Sequence, residues 1–251
     1  MWNTCSRSFR RRYLIVQDKK CCLLIGNSRW HWAIEKTNGW HYCHTAPDSN
    51  TIQSLDIPLV AWAAVGPIPK DICLNPLQRL SLTDIPLKGL PPWLGIDRAL
   101  AGWGAFKKIN PSEMQSSGFL VADAGTVLSL TRITPNGEFA GGQLIAGLRL
   151  QLAAMANGTK YLDNPGPGSS DTTKFPFTTA EAMQRGTLQA LVGALLEAIK
   201  ETKMSLWLCG GDAPILLEEL NKQQAKVIHQ PNLVLEGMVD IQNQINQDRD
   251  L

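Results

Sequence analysis

The sequence lacks the features that define several large classes of protein. Its 251 residues contain no stretch that approaches the ~18 consecutive apolar residues of a membrane-spanning helix. Only 18% of the residues are charged and 44% are hydrophobic, a balance that excludes an intrinsically disordered chain. None of the six cysteines belongs to a C-x-x-C pair, so their spacing matches no zinc-binding pattern. We therefore expect one large domain or two small ones, with a core that needs no disulfides.

Positive charge is concentrated at the N-terminus. Residues 1–22 carry a net charge of +5, whereas the whole chain carries +2, so the remainder is mildly acidic at −3. An acidic body argues against a nucleic-acid partner. The basic segment could be an arm for nucleic acid or a membrane surface, but we favour a poorly ordered leader over residues 1–20. No apolar region follows its arginines, so we expect neither a secretory signal nor a membrane partner.

The cysteines and histidines offer few candidates for chemistry. Cys21, Cys22 and Cys209 lie in apolar runs, and we interpret them as small buried residues in a reducing compartment, the cytoplasm. Residues 41–44 (His-Tyr-Cys-His) could place two metal ligands on one face of a strand. Because no second half-site accompanies them, we interpret this segment as an ordinary strand edge.

One structural plan occurs twice along the chain. In each half an apolar strand, residues 21–25 or 119–122, leads into a glycine-containing turn and a strand that returns antiparallel. This pattern predicts an α/β fold with two similar subdomains, residues 21–115 and 116–251. Each subdomain would contain a mixed β-sheet flanked by helices, and the cleft between them would hold the ligand.

The remaining elements are predicted from apolar periodicity and from capping signals. Thr178 and Glu181 form a capping box at the start of the longest helix. Asn157-Gly158 is a helix-terminating signal. The predicted helices span residues 94–106, 148–156, 178–203 and 214–222, and short late strands are predicted at 227–228 and 233–235.

The turns that follow the two apolar strands are suited to binding phosphate. In Asp123-Ala124-Gly125-Thr126, the glycine allows close backbone approach, the threonine can bind a phosphate oxygen, and the acid can hold a cation beside it. Gly26-Asn27-Ser28 offers the same donors, but Leu24 stands where the acid would be. Either turn alone could be a simple hairpin turn, whereas two equivalent turns favour a phosphate between the subdomains.

Two further segments carry candidate chemistry. Gly210-Gly211-Asp212-Ala213 follows a buried strand and opens a helix, so its bare backbone could pack against a base or ribose; a tight strand-to-helix turn explains it equally well. Asp97 could accept a proton from a substrate hydroxyl while Arg98 binds a substrate carboxylate. A helix cap followed by a solvated arginine explains the Asp97-Arg98 pair as well.

Taken together, these motifs resemble type III pantothenate kinases over about residues 21 to 240. That family has a ribonuclease-H-like (actin-like) fold. The resemblance implies ATP-dependent phosphorylation of pantothenate, the first step of coenzyme A synthesis. It rests on the order and spacing of Gly26-Asn27-Ser28, Gly95-Ile96-Asp97-Arg98, Asp123-Ala124-Gly125-Thr126, Gly141-Gly142 with Gly147, Thr178-Thr179 with Gly186, and Gly210-Gly211-Asp212-Ala213.

The resemblance also implies roles for individual residues. Asp97 would be the general base, and Asp123 would hold a monovalent cation, K⁺ or NH₄⁺. Mg²⁺ would accompany the nucleotide, and the family forms homodimers in which Thr179 reaches in from the partner subunit. Pantothenate would contact Gly95, Ile96, Asp97, Arg98 and Thr179. ATP would contact Gly26, Asn27, Ser28, Gly125, Thr126, Gly210 and Gly211.

The sequence departs from the family pattern at several of these positions. Leu24 replaces the acid of the first motif, and Thr131 replaces a second acid eight residues after Asp123. Lys88 replaces a tyrosine, Thr178 an asparagine, and Ala146 a proline. These departures leave two alternatives open: a catalytically impaired member with a nucleotide-binding accessory role, and a kinase for another small hydroxyl compound.

Overall fold

The structure is a computed structural model that describes residues 19–110, 117–168 and 173–249. Its first half contains a four-stranded mixed sheet in the order β3-β2-β1-β4. The strands are β1 (Cys21–Ile25), β2 (Trp30–Lys36), β3 (Gly39–Thr45) and β4 (Leu59–Ala64). β2 pairs antiparallel with both β1 and β3, and β4 pairs with β1 in parallel.

The second half repeats this arrangement and adds one strand, in the order β7-β6-β5-β8-β9. The strands are β5 (Phe119–Ala124), β6 (Val127–Ile133), β7 (Phe139–Ala146), β8 (Ser205–Cys209) and β9 (Val227–His229). β5 to β7 are antiparallel, while β8 pairs in parallel with β5 and with β9. The predicted repetition of one plan in two mixed sheets is therefore confirmed.

Six α-helices connect and cover these sheets in the described part of the chain, and two short 3₁₀ helices (Pro76–Gln78 and Leu82–Asp84) lie between β4 and the second α-helix. The α-helices are α1 (Ser49–Gln53), α2 (Ile96–Lys108), α3 (Leu148–Gly158), α4 (Thr179–Thr202), α5 (Ala213–Lys222) and α6 (Leu233–Arg249). The predicted cap of α4 is confirmed, because the Glu181 backbone N–H donates to Thr178 Oγ1 at 3.3 Å and that hydroxyl donates to the Glu181 carboxylate at 2.8 Å. None of these helices is long and apolar enough to cross a membrane.

The strand predicted at residues 233–235 is wrong, because these residues begin α6. α6 packs along α2 in the layer between the two sheets. Two glycines allow this contact: a Cβ at Gly104 would lie 2.5 Å from the Leu233 carbonyl oxygen, and one at Gly237 would overlap the carbonyl of Leu100. The end of the chain thus returns to a helix of the first half, and the predicted boundary near residue 115 stays a prediction.

The core lies in three layers of side chains. The central layer joins both sheets to α2 and α6 and includes Cys22, Leu100, Phe119 and Met238. Tryptophans dominate the outer face of the first sheet, and α4 and α5 cover the outer face of the second. The position of α2 between the sheets brings its first residues to the cleft that separates the two halves.

The three cysteines predicted to be buried are fully buried, which confirms that interpretation. Burial raises the pKa of Cys21 to about 11 and that of Cys22 to about 12. Both thiols therefore stay protonated at neutral pH and behave as small hydrophobic groups.

Candidate active site

The two glycine turns predicted to bind phosphate face each other across the cleft. The hydroxyl groups of Ser28 and Thr126 lie 2.8 Å apart, within hydrogen-bonding distance. Both side chains, and that of Asn27, are exposed to solvent. The predicted phosphate-binding donors of the two halves therefore meet at one place, although they lie almost 100 residues apart in sequence.

A glycine that follows the neighbouring parallel strand packs directly against the backbone of each turn. A Cβ at Gly66, which follows β4, would overlap the backbone of Gly26. A Cβ at Gly210, which follows β8, would overlap the Asp123 carboxylate and lie 2.5 Å from the Ala124 backbone. Gly210 also has a positive φ of 95°, a conformation that favours glycine. This contact places Gly210 against the second turn, whereas Gly211 borders open space.

Asp97 lies in the first turn of α2, at the mouth of the same cleft. Its Oδ1 accepts a hydrogen bond of 2.8 Å from the backbone N–H of Arg98, which fixes one carboxylate oxygen. The N-cap residue is Gly95, and a Cβ there would lie 2.5 Å from Asp97 Oδ1. Glycine at position 95 therefore makes room for the carboxylate, although its backbone angles suit any residue.

Asp97 and Asp123 form an electrostatically coupled pair. Burial and the nearby charge of Asp97 raise the pKa of Asp123 to about 7. Burial also raises the pKa of Asp97, against the opposing effect of its hydrogen bond and charge interaction with Arg98. Two carboxylates that repel each other in a partly dehydrated cleft are a suitable environment for a cation or a proton.

Arg98 is buried, with 7% of its surface exposed. Its Nε donates to Thr131 Oγ1 and its Nη2 to the Leu130 carbonyl, both at 3.1 Å. Its guanidinium also lies 5.9 Å from the ring centre of Phe139. The explanation of Arg98 as a solvated residue after a helix cap is therefore wrong, since the side chain ties α2 to the second sheet.

Two of the departures from the family pattern, Leu24 and Thr131, are accommodated locally. Leu24 is 4% exposed and belongs to the central core layer. Thr131 is 2% exposed and gives the Arg98 guanidinium a neutral acceptor where an acid would give it a charged one. Both positions are filled by residues that suit their surroundings, so neither leaves a gap in the structure.

A cavity of about 930 Å³ opens beside the start of α2. Gly95, Ile96 and the apolar residue Val65 line one side, and Arg79 with Ser81 lines another. Arg79 stacks on Trp62, with its guanidinium carbon 5.3 Å from the ring centre. Arg79 is not among the site residues predicted from the sequence, because an arginine in an irregular segment carries no local signal.

Thr179 belongs to α4, a different element from those that carry these groups. It is exposed in the first turn of α4, and no hydrogen bond joins it to Asp97 or Arg98 in the described residues. Next to it, Phe175 and Phe177 are 87% and 99% exposed. Among the described residues, no hydrogen bond or ion pair therefore joins Thr179 to the other predicted site residues.

The site offers a limited set of ligands for metal ions. No group of three or more histidine, cysteine, aspartate or glutamate side chains in the described residues is arranged to hold a metal. A monovalent cation or a magnesium ion fits at Asp123 in one respect: positive charge there would relieve the repulsion that raises the pKa of this carboxyl group. Phosphate oxygens and water would have to supply the other ligands.

The solved structures that resemble this fold define its class. One is an activator of 2-hydroxyisocaproyl-CoA dehydratase from Clostridium difficile with bound ADPNP; its TM-score is 0.51 at 9% identity, covering 93% of this chain and 98% of that one. A second, from Sinorhizobium meliloti, is described as a 2-dehydro-3-deoxygalactonokinase; its TM-score is 0.56 at 13% identity, covering 90% of this chain and 99% of that one. The two mixed sheets and the helices between them form an actin-like fold.

Within this class, sequence similarity identifies the family. The family model of type III pantothenate kinase matches residues 85–201. A type III pantothenate kinase from Thermosynechococcus vestitus is 34% identical over 211 residues, 79% of each chain. One from Synechococcus elongatus is 30% identical over 238 residues, covering 86% of this chain and 93% of the relative. The chain belongs to the type III pantothenate kinase family.

Proposed function

We propose that this protein transfers the γ-phosphoryl group of ATP to the hydroxyl group of pantothenate, the first step of coenzyme A synthesis. The observation that carries the proposal is the position of Asp97. One of its oxygens is fixed by the Arg98 backbone N–H, the residue directly follows the cavity-lining Gly95 and Ile96, and its charge acts on Asp123 beside the second turn. Family membership supplies the identity of the two substrates.

In this proposal Asp97 is the general base. Its second oxygen accepts the proton of the pantothenate hydroxyl as the oxygen attacks the γ-phosphorus of ATP. Burial raises the pKa of Asp97, which makes the carboxylate a stronger base than a solvated aspartate. The loose transition state of phosphoryl transfer mainly requires positioning and charge stabilisation, which the two turns support.

The facing turns hold the phosphates. The backbone and hydroxyl donors of residues 26–28 and of Gly125-Thr126 line the channel, and Gly210-Gly211 borders the nucleotide. Asp123 holds a monovalent cation, K⁺ or NH₄⁺, next to the phosphates. When bound with ATP, Mg²⁺ supplies charge neutralisation on the phosphate oxygens.

The cavity beside Gly95 holds pantothenate. Gly95 and Ile96 border it directly, and Arg98 lies one turn further along α2. Because the Arg98 guanidinium is engaged with β6, Arg79 is a second candidate partner for the pantothenate carboxylate.

A homodimer completes this site in the proposal. Thr179 is exposed and follows closely in sequence two almost fully exposed phenylalanines, Phe175 and Phe177, and large apolar side chains left exposed favour a protein interface. Covering that surface with a second subunit would bring Thr179 towards the partner's pantothenate. We place the enzyme in the cytoplasm, where its free thiols stay reduced.

The direct test is incubation of the purified protein with pantothenate, ATP, Mg²⁺ and K⁺, with phosphopantothenate detected by mass. Product should form, and Asp97→Asn should reduce the rate by ~10²–10⁴-fold because an amide cannot serve as the base. Substrates other than pantothenate in a panel of small hydroxyl compounds should react more slowly. Faster turnover of another compound would show that this compound, and not pantothenate, is the substrate.

Leu24 favours a second candidate function, a catalytically impaired member that binds nucleotide in an accessory role. In that case the parent protein would bind ATP without turnover, and Leu24→Asp would create activity. Robust turnover by the parent protein would eliminate this candidate.

A further inference from the structure

A histidine lies opposite Leu24, the residue of β1 that is equivalent to Asp123 in the second half. In the second half, Asp123 of β5 lies directly opposite Ser129 of β6. In the first half, the equivalent Leu24 of β1 lies opposite His31 of β2. Residues directly opposite each other in adjacent strands project from the same face of the sheet. The side facing the cleft therefore carries an apolar group on β1 and an imidazole on β2.

His31 belongs to a pair of histidines on neighbouring strands. His44 of β3 lies opposite His31, and the Nδ1 atoms of the two rings are 2.8 Å apart. The other ring nitrogen of His31 faces the first turn, since a Cβ at Gly26 would lie 3.0 Å from Nε2. His31 is partly buried and His44 is exposed, so the pair is open to the cleft.

The surroundings keep both rings neutral at physiological pH. Burial and the neighbouring His44 and Arg29 lower the pKa of His31 to about 4. Burial and Arg29 also lower the pKa of His44. A neutral imidazole has a free lone pair on one nitrogen, and this is the form that binds transition metals.

We propose that His31 and His44 together bind a divalent first-row transition metal at the edge of the nucleotide cleft, in the half of the protein that lacks the family acid. The two Nδ1 atoms are already about as close as two nitrogen ligands on one metal ion, since ~2.1 Å metal–nitrogen bonds at a right angle place the nitrogens about 3 Å apart. To bind the metal ion through both Nδ1 atoms, the ring that donates the shared hydrogen bond moves its proton from Nδ1 to its own Nε2, so both rings stay neutral.

The chemistry of the pair determines which metals bind. Imidazole nitrogen suits Zn²⁺, Co²⁺, Ni²⁺ and Cu²⁺, whereas Mg²⁺ prefers oxygen ligands. Two protein ligands leave the other coordination positions to water or to phosphate oxygens. Because the cation Arg29 lies close by, an anionic co-ligand strengthens the site. The phosphates of a nucleotide bound between the turns meet this requirement.

The test uses Co²⁺ alone, followed by calorimetry and by its visible absorption spectrum in the tag-free protein. His44→Gln is the informative variant because His44 is exposed and its replacement leaves the core intact. His41→Gln is the matched control: it is an exposed histidine of the same strand that projects from the opposite face. The protein has only four histidines, and the exposed thiol of Cys73 is the same in the parent protein and in both variants.

We expect one equivalent of Co²⁺ to bind, and His44→Gln to weaken its affinity at least ~10-fold while His41→Gln leaves it unchanged. Equal affinities in the two variants would overturn the site. These measurements contain no pantothenate and no ATP, so their outcome is independent of the proposed kinase activity.

A second measurement tests the link to the nucleotide, and this link rests on the proposed function. Adding ADP should tighten Co²⁺ binding several-fold in the parent protein and in His41→Gln, but not in His44→Gln. An equal ADP effect in all three proteins would show that Co²⁺ enters with the nucleotide and not through the histidines, which would overturn the link.

Discussion

The two halves of this protein share one design and differ in where they carry a polar group. In both halves, a buried strand leads into a glycine turn, and a glycine after the parallel neighbouring strand packs against that turn. The second half presents the Asp123 carboxylate at the end of its strand. The first half presents Leu24 there and an imidazole on the adjacent strand.

This difference separates the requirements of the fold from those of the chemistry. Each half has a glycine at the equivalent position, Gly66 in the first and Gly210 in the second, because a Cβ there would overlap the adjacent turn. The acid is not needed for the fold, since Leu24 packs well in its place. The repeated architecture therefore accommodates leucine in place of one acid, whereas the acid of the second half, Asp123, interacts with the charge of Asp97.

The largest expected effect comes from removing the acid of the second half. Asp123→Asn keeps the shape of the side chain but removes its charge, so turnover should fall at least ~100-fold, the loss typical of a preorganised electrostatic group. The measurement is the rate of phosphopantothenate formation at several K⁺ concentrations. If the two halves were equivalent for catalysis, Leu24→Asn would cause a comparable loss of turnover. A small loss of turnover in Asp123→Asn would contradict the proposed difference between the halves.

The common design of the halves was predictable because its signals are local. A short apolar strand, a glycine turn and a returning strand follow one another directly in sequence. The cap of α4 is also a local signal, because it is formed by Thr178 and the nearby Glu181. The start of α6 was not predictable, because three apolar residues at 233–235 fit a strand as well as a helix. Their helical state depends on the contact of Gly237 with α2, which lies more than 100 residues earlier in the chain.

The candidate site was predictable only in part, for the same reason. Turn glycines and the Asp97-Arg98 pair stand out in the sequence, and the structure places both turns and Asp97 at one cleft. The engagement of Arg98 with β6, the cavity position of Arg79 and the contact of His31 with His44 depend on tertiary packing. No periodicity or spacing in the sequence reports such contacts.

The second prediction tests whether Gly66 and Gly210 have the same structural role in the two halves. Gly66→Ala and Gly210→Ala should each destabilise the protein by about 2–4 kcal/mol, because the added Cβ meets backbone that cannot move freely. Gly211→Ala should be nearly neutral, since that position borders open space. Chemical denaturation gives the free energies of unfolding. A loss at only one of the two glycines would break the structural equivalence of the halves.

The third prediction concerns pH and follows from the raised pKa of Asp123, about 7 in the folded protein against about 4 in an unfolded chain. Between these values the folded state holds a proton that the unfolded state has lost, so stability is highest below pH 4 and falls as the pH rises through 7. The loss is about 2 kcal/mol, less than the full shift implies, because water reaches part of the carboxylate.

Asp123→Asn removes this ionisation and provides the control for the pH dependence. Its free energy of unfolding should fall less between pH 5 and 8 than that of the parent protein, and at pH 8 the variant should be the more stable of the two. Parallel pH profiles of the two proteins would contradict the raised pKa. Because Leu24 does not ionise, the first half contributes no such dependence at the equivalent position.

The smallest expected effect is at Thr131, where the second half has lost an acid of its own. Thr131→Val removes the hydroxyl that accepts from Arg98 Nε and leaves a buried N–H of a charged group without that acceptor, which should cost about 1–2 kcal/mol. Thr131→Ser retains the hydroxyl and is the matched control. Denaturant unfolding measures both variants. If Thr131→Val is as stable as Thr131→Ser, the hydroxyl does not hold Arg98, and the guanidinium is then free to turn towards the substrate cavity. A drop confined to Thr131→Val instead means that the second half, like the first, has replaced a family acid with a residue that stabilises its own surroundings.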